Sequence, residues 1–118
     1  MPPFTEAYAK VYLPIFLQQI RDAIDTGNVE FAGGRQKNIK TLAALGILPD
    51  DMYDEIKNLS ITDYYRGPLL DENEPDEDMY WAFRKAVGCE LIYIKLKIKD
   101  REGKRLFVMS FHFDGMYD

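Results

Sequence analysis

The chain has 118 residues, 47% of them hydrophobic and 30% charged, enough for one compact domain with its own core and too few for two. It contains no uncharged apolar run near the eighteen residues of a membrane span, and it lacks the basic-then-apolar start of a signal peptide, so a cytoplasmic protein with no membrane partner is expected. The net charge of −5 is uneven: residues 71–78 hold six acids and no base, whereas residues 79–118 hold eight Lys/Arg against five Asp/Glu, so a local basic surface survives the acidic total.

Taken in order, residues 1–13 form an arm of undecided structure. Pro2 and Pro3 favour an extended start, and Glu6 to Leu13 suit a helical turn or a short arm. Pro14 suits the first position of a helix, where its missing N–H costs nothing. Phe16, Ile20 and Ile24 follow at four-residue spacing and Gly27 stops the helix. Val29 and Phe31 mark a short extended segment. The loop Gly33-Gly34-Arg35-Gln36-Lys37-Asn38 carries two cations but has neither the spacing nor the ending of a P-loop. Asn38 suits the N-cap of a second helix closed by Gly46, and Pro49 opens a third in which Met52, Ile56 and Leu59 share a face. Thr62 to Arg66 reads as a further helical turn ended by Gly67-Pro68.

The acidic loop, residues 70–78, comes next. Its plain reading is a solvated loop, and its sharper one a lid that competes with RNA for a basic face. Met79 to Val87 is aromatic and β-branched and reads as a strand, with Gly88-Cys89 turning into the next. There Ile92, Ile94, Leu96 and Ile98 alternate with Tyr93, Lys95, Lys97 and Lys99. Alternation sends the aliphatic set to one face and a tyrosine with three lysines to the other. The turn Asp100-Arg101-Glu102-Gly103 reverses the chain into Leu106 to His112. His112 joins the lysine face if it pairs with Tyr93; a one-residue slip puts Phe107, Met109 and Phe111 there instead. Pairing with Tyr93 is expected, because the slip buries the imidazole among aliphatics. Helices early and strands late give an α+β class: a single domain, 1–118, with a small antiparallel sheet and N-terminal helices packed on one face.

The ordered set from the first helix through Leu45-Gly46-Ile47, Met52 and Ile56, Tyr65-Arg66, Trp81, Tyr93-Ile94-Lys95-Leu96 and Val108-Met109-Ser110-Phe111-His112 resembles the MqsR family of toxins. The likeness spans roughly residues 14–113. The resemblance implies a RelE-like fold and a metal-independent endoribonuclease that cuts mRNA, with no cofactor. It also implies a cognate antitoxin from a neighbouring gene, with a zinc-binding CxxC domain and a helix-turn-helix. The positions matching the family's functional residues are Tyr65, Arg66, Tyr93 and His112. The best-known member has lysines where this chain has Arg66 and His112, and a glutamine where it has Ala82, which leaves that last role vacant.

The chemistry can be argued from the residues too. Metal-free RNA cleavage needs a base for the 2′-OH proton, an acid for the leaving 5′-oxygen and cations for the charge on phosphorus. His112, the only histidine, can exchange a proton near neutral pH. Arg66 can grip a phosphate through two parallel hydrogen bonds. Lys95 offers a point charge, and Tyr93 and Tyr65 offer hydroxyls or stacking faces. Arg35, Lys37 and Lys97 extend an RNA track.

The blander reading of each feature is ordinary. A lone histidine in a last strand is more often a hydrogen-bonded structural residue. Alternating lysines protect an edge, Tyr64, Tyr65 and Trp81 pack, and Asp50, Asp51, Asp54 and Glu55 complement a helix dipole. Cys89, the only cysteine, forms no internal disulfide or cysteine-based metal site and fits a reducing compartment. Two other functions remain open: a non-catalytic module using the same hairpin for RNA or a partner chain, and a degenerate toxin-like protein whose acidic loop is a protein interface.

Overall fold

The computed structural model describes residues 5–73, 78–100 and 103–115. It has the expected α+β architecture. Helix α1 (Thr5–Asp25) leads through strand β1 (Val29–Phe31) to helices α2 (Gln36–Leu45) and α3 (Pro49–Lys57). A 3₁₀ turn (Ile61–Asp63) then precedes strands β2 (Tyr64–Leu69), β3 (Tyr80–Val87), β4 (Glu90–Lys99) and β5 (Arg105–Phe113). The sheet order is β1-β5-β4-β3-β2. Strands β2 to β5 pair antiparallel, and β1 adds a short parallel strand to β5, so the sheet is mixed.

The core lies between the sheet and helices α1 and α3. Ala9, Leu13, Phe16, Leu17, Ile20 and Ala23 make the buried stripe of α1, and Met52 and Ile56 make that of α3. They meet Trp81, Phe83, Ile92, Ile94, Leu96 and Ile98, the inward set of β3 and β4. Gly46, in the left-handed region at φ 70°, closes α2 by donating to Ala43 and Leu42 carbonyls. Leu48 N–H donates to the Asp51 carboxylate at 2.9 Å and so caps α3.

Three expectations change. Helix α1 begins by Thr5, not at Pro14, which lies inside it on an exposed position. A proline there forfeits a hydrogen bond to the carbonyl four residues back, and the long apolar stripe on the opposite side outweighs that loss. Of the uncertain arm, only residues 1–4 fall outside the described chain. Second, Asn38 is not the N-cap of α2; Arg35 holds that position, and Asn38 sits buried in the first turn. Third, Thr62 to Arg66 is not helical beyond the 3₁₀ turn, because Tyr64 to Leu69 pairs with β3.

Helix α2 covers the part of β5 that β1 is too short to reach. Asn38 Nδ2 donates to the Ala32 and Met109 carbonyls at 2.9 and 3.2 Å, and its Oδ1 accepts from Phe111 N–H at 3.0 Å. Thr41 Oγ1 accepts from Phe113 N–H at 3.2 Å. Two buried side chains thus stand in for a neighbouring strand and satisfy edge groups that would otherwise need water.

Strand β5 contains a bulge. Leu96 pairs with Val108 but Lys95 with Ser110, which leaves Met109 as the extra residue. Leu106 and Val108 face the core before it, and Phe111 does after it. The bulge therefore lets both halves of the strand bury their apolar residues while Ser110 and His112 share the face of Tyr93 and Lys95. His112 pairs directly with Tyr93, as expected.

Candidate functional site

The face of the sheet opposite α1 and α3 brings together residues from four strands. Cross-strand pairing aligns Arg66 with Ala82, Ala82 with Lys95, and Lys95 with Ser110; one step along, Arg84 aligns with Tyr93 and Tyr93 with His112. The side chain of Arg66 interacts with that of Tyr93. Its guanidinium carbon lies 5.2 Å from the centre of the Tyr65 ring, and that of Arg84 lies 3.8 Å from the same ring. Tyr65 meets Tyr93 edge-on, with centroids 6.4 Å apart, and Tyr93 is tilted against His112 at 5.4 Å. Lys95 Nζ lies 4.6 Å from the centre of the Tyr80 ring. Arginines and tyrosines in mutual contact offer positive charge and flat π-faces on one surface.

The electrostatics follow from these contacts. The interaction of Arg66 with Tyr93 raises the guanidinium's pKa above its ordinary value against the opposing effect of burial, and the nearby tyrosines add to the rise. Arg66 is therefore a permanent cation. Burial pushes the Tyr80 phenol up, Arg66 opposes this, and Tyr93, Glu72 and Asp71 reinforce it. Arg84 Nε is also fixed by Asp114 Oδ1 at 3.0 Å, so its guanidinium is anchored over Tyr65 by a group on the next segment.

Five of the expected catalytic residues converge here: Tyr65, Arg66, Tyr93, Lys95 and His112. They differ in access. Tyr65 and Arg66 are exposed, Tyr93 and Lys95 are half-buried, and His112 is only 2% exposed, with Nδ1 3.0 Å from the Phe113 carbonyl oxygen. The imidazole is on the expected side of the sheet but lies in a layer beneath the surface. Ala82 is fully buried between Arg66 and Lys95.

The expected RNA track divides. Arg35 Nη1 donates to the Met109 carbonyl at 2.8 Å and to Ser110 Oγ at 3.3 Å, which ties it to the bulge next to the cluster. Lys37 is half-buried in the first turn of α2. Lys97 is 1% exposed and lies 3.6 Å from the carboxylate of Asp71. Lys99 is paired with Glu30 at 3.2 Å and lies 4.4 Å from the centre of the Phe107 ring. The far end of the lysine face is thus internally compensated. The start of the acidic loop reaches it through Asp71, while residues 74–77 of that loop lie outside the described chain.

Arg84 and Tyr80 were missed from sequence. The strand over 79–87 was foreseen, and its two-residue period already places Tyr80, Ala82 and Arg84 on one face; only the register against β4 shows that this is the face of Tyr93.

No protein-family model matches the chain, and no curated protein sequence matches it. None of the described helices is long and apolar enough to cross a membrane.

Proposed function

We propose that the protein is a metal-independent endoribonuclease toxin of the MqsR-like kind, acting on mRNA at the Arg66–Tyr93 end of the open sheet face. The observation that carries this reading is the exposed Tyr65 ring with the guanidinium carbons of Arg84 and Arg66 at 3.8 and 5.2 Å from its centre and Tyr93 edge-on against it at 6.4 Å. Arg66 grips the scissile phosphate and, with Lys95, offsets the charge that grows as the 2′-oxygen bonds to phosphorus. Tyr65 and Arg84 receive a base. The 2′-OH proton leaves as the 2′-oxygen attacks, and the departing 5′-oxygen takes up a proton, giving a 2′,3′-cyclic phosphate and a 5′-hydroxyl. At 2% exposure His112 cannot touch the ribose, so the Tyr93 hydroxyl gives its proton to the departing 5′-oxygen, solvent takes the 2′-OH proton and returns one to the Tyr93 phenolate, and His112 holds the Tyr93 ring from beneath. A cytoplasmic setting and an antitoxin partner belong to the same proposal.

The test is RNA incubated with purified protein in EDTA. The reading expects cyclic-phosphate products, lost in Arg66→Ala and in Tyr93→Phe. Cleavage that survives both substitutions refutes it. The burial of His112 specifically favours a second reading, a non-catalytic RNA-binding module on the same face, which predicts salt-sensitive RNA affinity with no product.

A further inference from the structure

The other side of the molecule carries a groove that this reading does not use. It lies between the first half of α1, the start of β3 and the end of β4, with a volume of about 250 Å³. Its walls are aromatic: Tyr8 and Tyr12 pack at 4.3 Å, and Phe16 stacks on Trp81 at 5.1 Å. Among the described residues Asp78 and Asp100 line it, and no Lys, Arg or His does. The two acids are held in place, since Asp100 N–H donates to Asp78 Oδ2 at 3.1 Å and Lys104 pairs with Asp100. Beside the groove, α1 exposes Tyr8, Val11, Tyr12 and Ile15 on one helical stripe, and Met79 is exposed across from it.

These features point to one occupant. The volume is below the roughly 300–1,000 Å³ of small-molecule sites, which suits a side chain better than a cofactor. With Asp100 paired to Lys104, the wall keeps the charge of Asp78 and is negative on balance, so nucleic acid is disfavoured. Aromatic faces with nearby carboxylates attract a cation from both directions, through the ring quadrupole and through charge, and the flanking apolar stripe suits the residues on either side of that cation. We propose that this groove docks a partner protein through an arginine or lysine side chain set between apolar residues. The assignment is independent of the RNA reading, because none of its residues belongs to the open sheet face.

Trp81, the only tryptophan, lines the groove and reports on it. The full chain is titrated with the peptide acetyl-Ala-Leu-Arg-Leu-Ala-amide, and with versions carrying glutamate or norleucine in place of arginine, while Trp81 emission is followed. The arginine peptide is expected to saturate with a Kd tighter than about 1 mM, the norleucine peptide to bind at least fivefold more weakly, and the glutamate peptide not at all. Tyr12→Ser and Asp100→Asn, both at exposed positions, are each expected to weaken the arginine peptide at least fivefold while leaving RNA binding unchanged. Equal binding of the arginine and glutamate peptides, no emission change, or full affinity in Tyr12→Ser overturns the proposal. So does a dimer in sedimentation that Tyr12→Ser dissociates, which assigns the groove to a second copy of the chain.

Discussion

Replacing Asn38 with alanine tests how β5 is held. Three groups lose a bond. The Met109 carbonyl keeps Arg35 Nη1 at 2.8 Å and the Ala32 carbonyl keeps Arg35 N–H at 3.3 Å, but Phe111 N–H loses its Asn38 partner. One stranded buried donor costs about 1–3 kcal/mol, and two weakened acceptors add about 0.5–1 kcal/mol each at most. The expected loss is about 2–5 kcal/mol, against the 5–15 kcal/mol typical of a whole domain. Urea denaturation should show a lower midpoint at unchanged slope, and hydrogen exchange should speed up first at the Phe111 amide. Asn38→Asp sharpens the test: its carboxylate can still accept from Phe111 N–H but faces two carbonyl oxygens. Its pKa should rise on folding, so its stability should be greater at low pH and fall as pH rises through the carboxylate range. A loss below about 0.5 kcal/mol for Asn38→Ala, or unchanged protection at Phe111, would show that α2 does not secure this edge.

Further outcomes follow from other sites. Gly67→Ala should destabilise by at least about 2 kcal/mol, because a Cβ there meets the Tyr80 carbonyl oxygen at 2.9 Å and Trp81 Cα at 3.0 Å at a φ of +120°; a thermal melt checks it. Burial raises the pKa of Tyr53 and Tyr80, so both stay protonated in the folded state when the unfolded chain would ionise. Their contribution to stability is intact below about pH 10 and is lost as pH rises beyond it. An absorbance titration at 295 nm should show a late tyrosine fraction that shrinks in Tyr80→Phe. Arg84→Ala removes the guanidinium 3.8 Å from the Tyr65 ring and should weaken single-stranded RNA about tenfold, while Arg84→Lys restores only part; filter binding at fixed salt decides.

Much of this fold was legible because its strongest signals are local. The alternation of Ile92 to Ile98 fixed β4, and Gly46 and Pro49 marked the helix boundaries around them. The tyrosine–lysine face followed from the same alternation, and pairing Tyr93 with His112 followed from the cost of an imidazole among aliphatics. What stayed hidden depends on contacts between distant segments. Two alternations out of phase, Leu106-Val108 and Phe111-Phe113, are the trace of the Met109 bulge, yet each half looks regular by itself. Asn38 read as a cap because its type favours caps; only the position of β5 reveals that it serves a strand. Pro14 read as a helix start for the same kind of reason, since nothing local shows that the upstream turns bury Ala9 and Leu13. The burial of His112 was also out of reach, because it depends on how the rings above it stack.

The helix lying along β5 has a bearing on how this molecule meets others. On one rim β1 is only three residues long, and the length of β5 beyond it is taken up by Asn38 and Thr41. The opposite rim, β2, carries Pro68 and two breaks in register, so it offers a poor template for an incoming chain. Neither side invites lateral growth into fibrils or recruitment by strand addition, which directs recognition to the broad surfaces above and below the sheet.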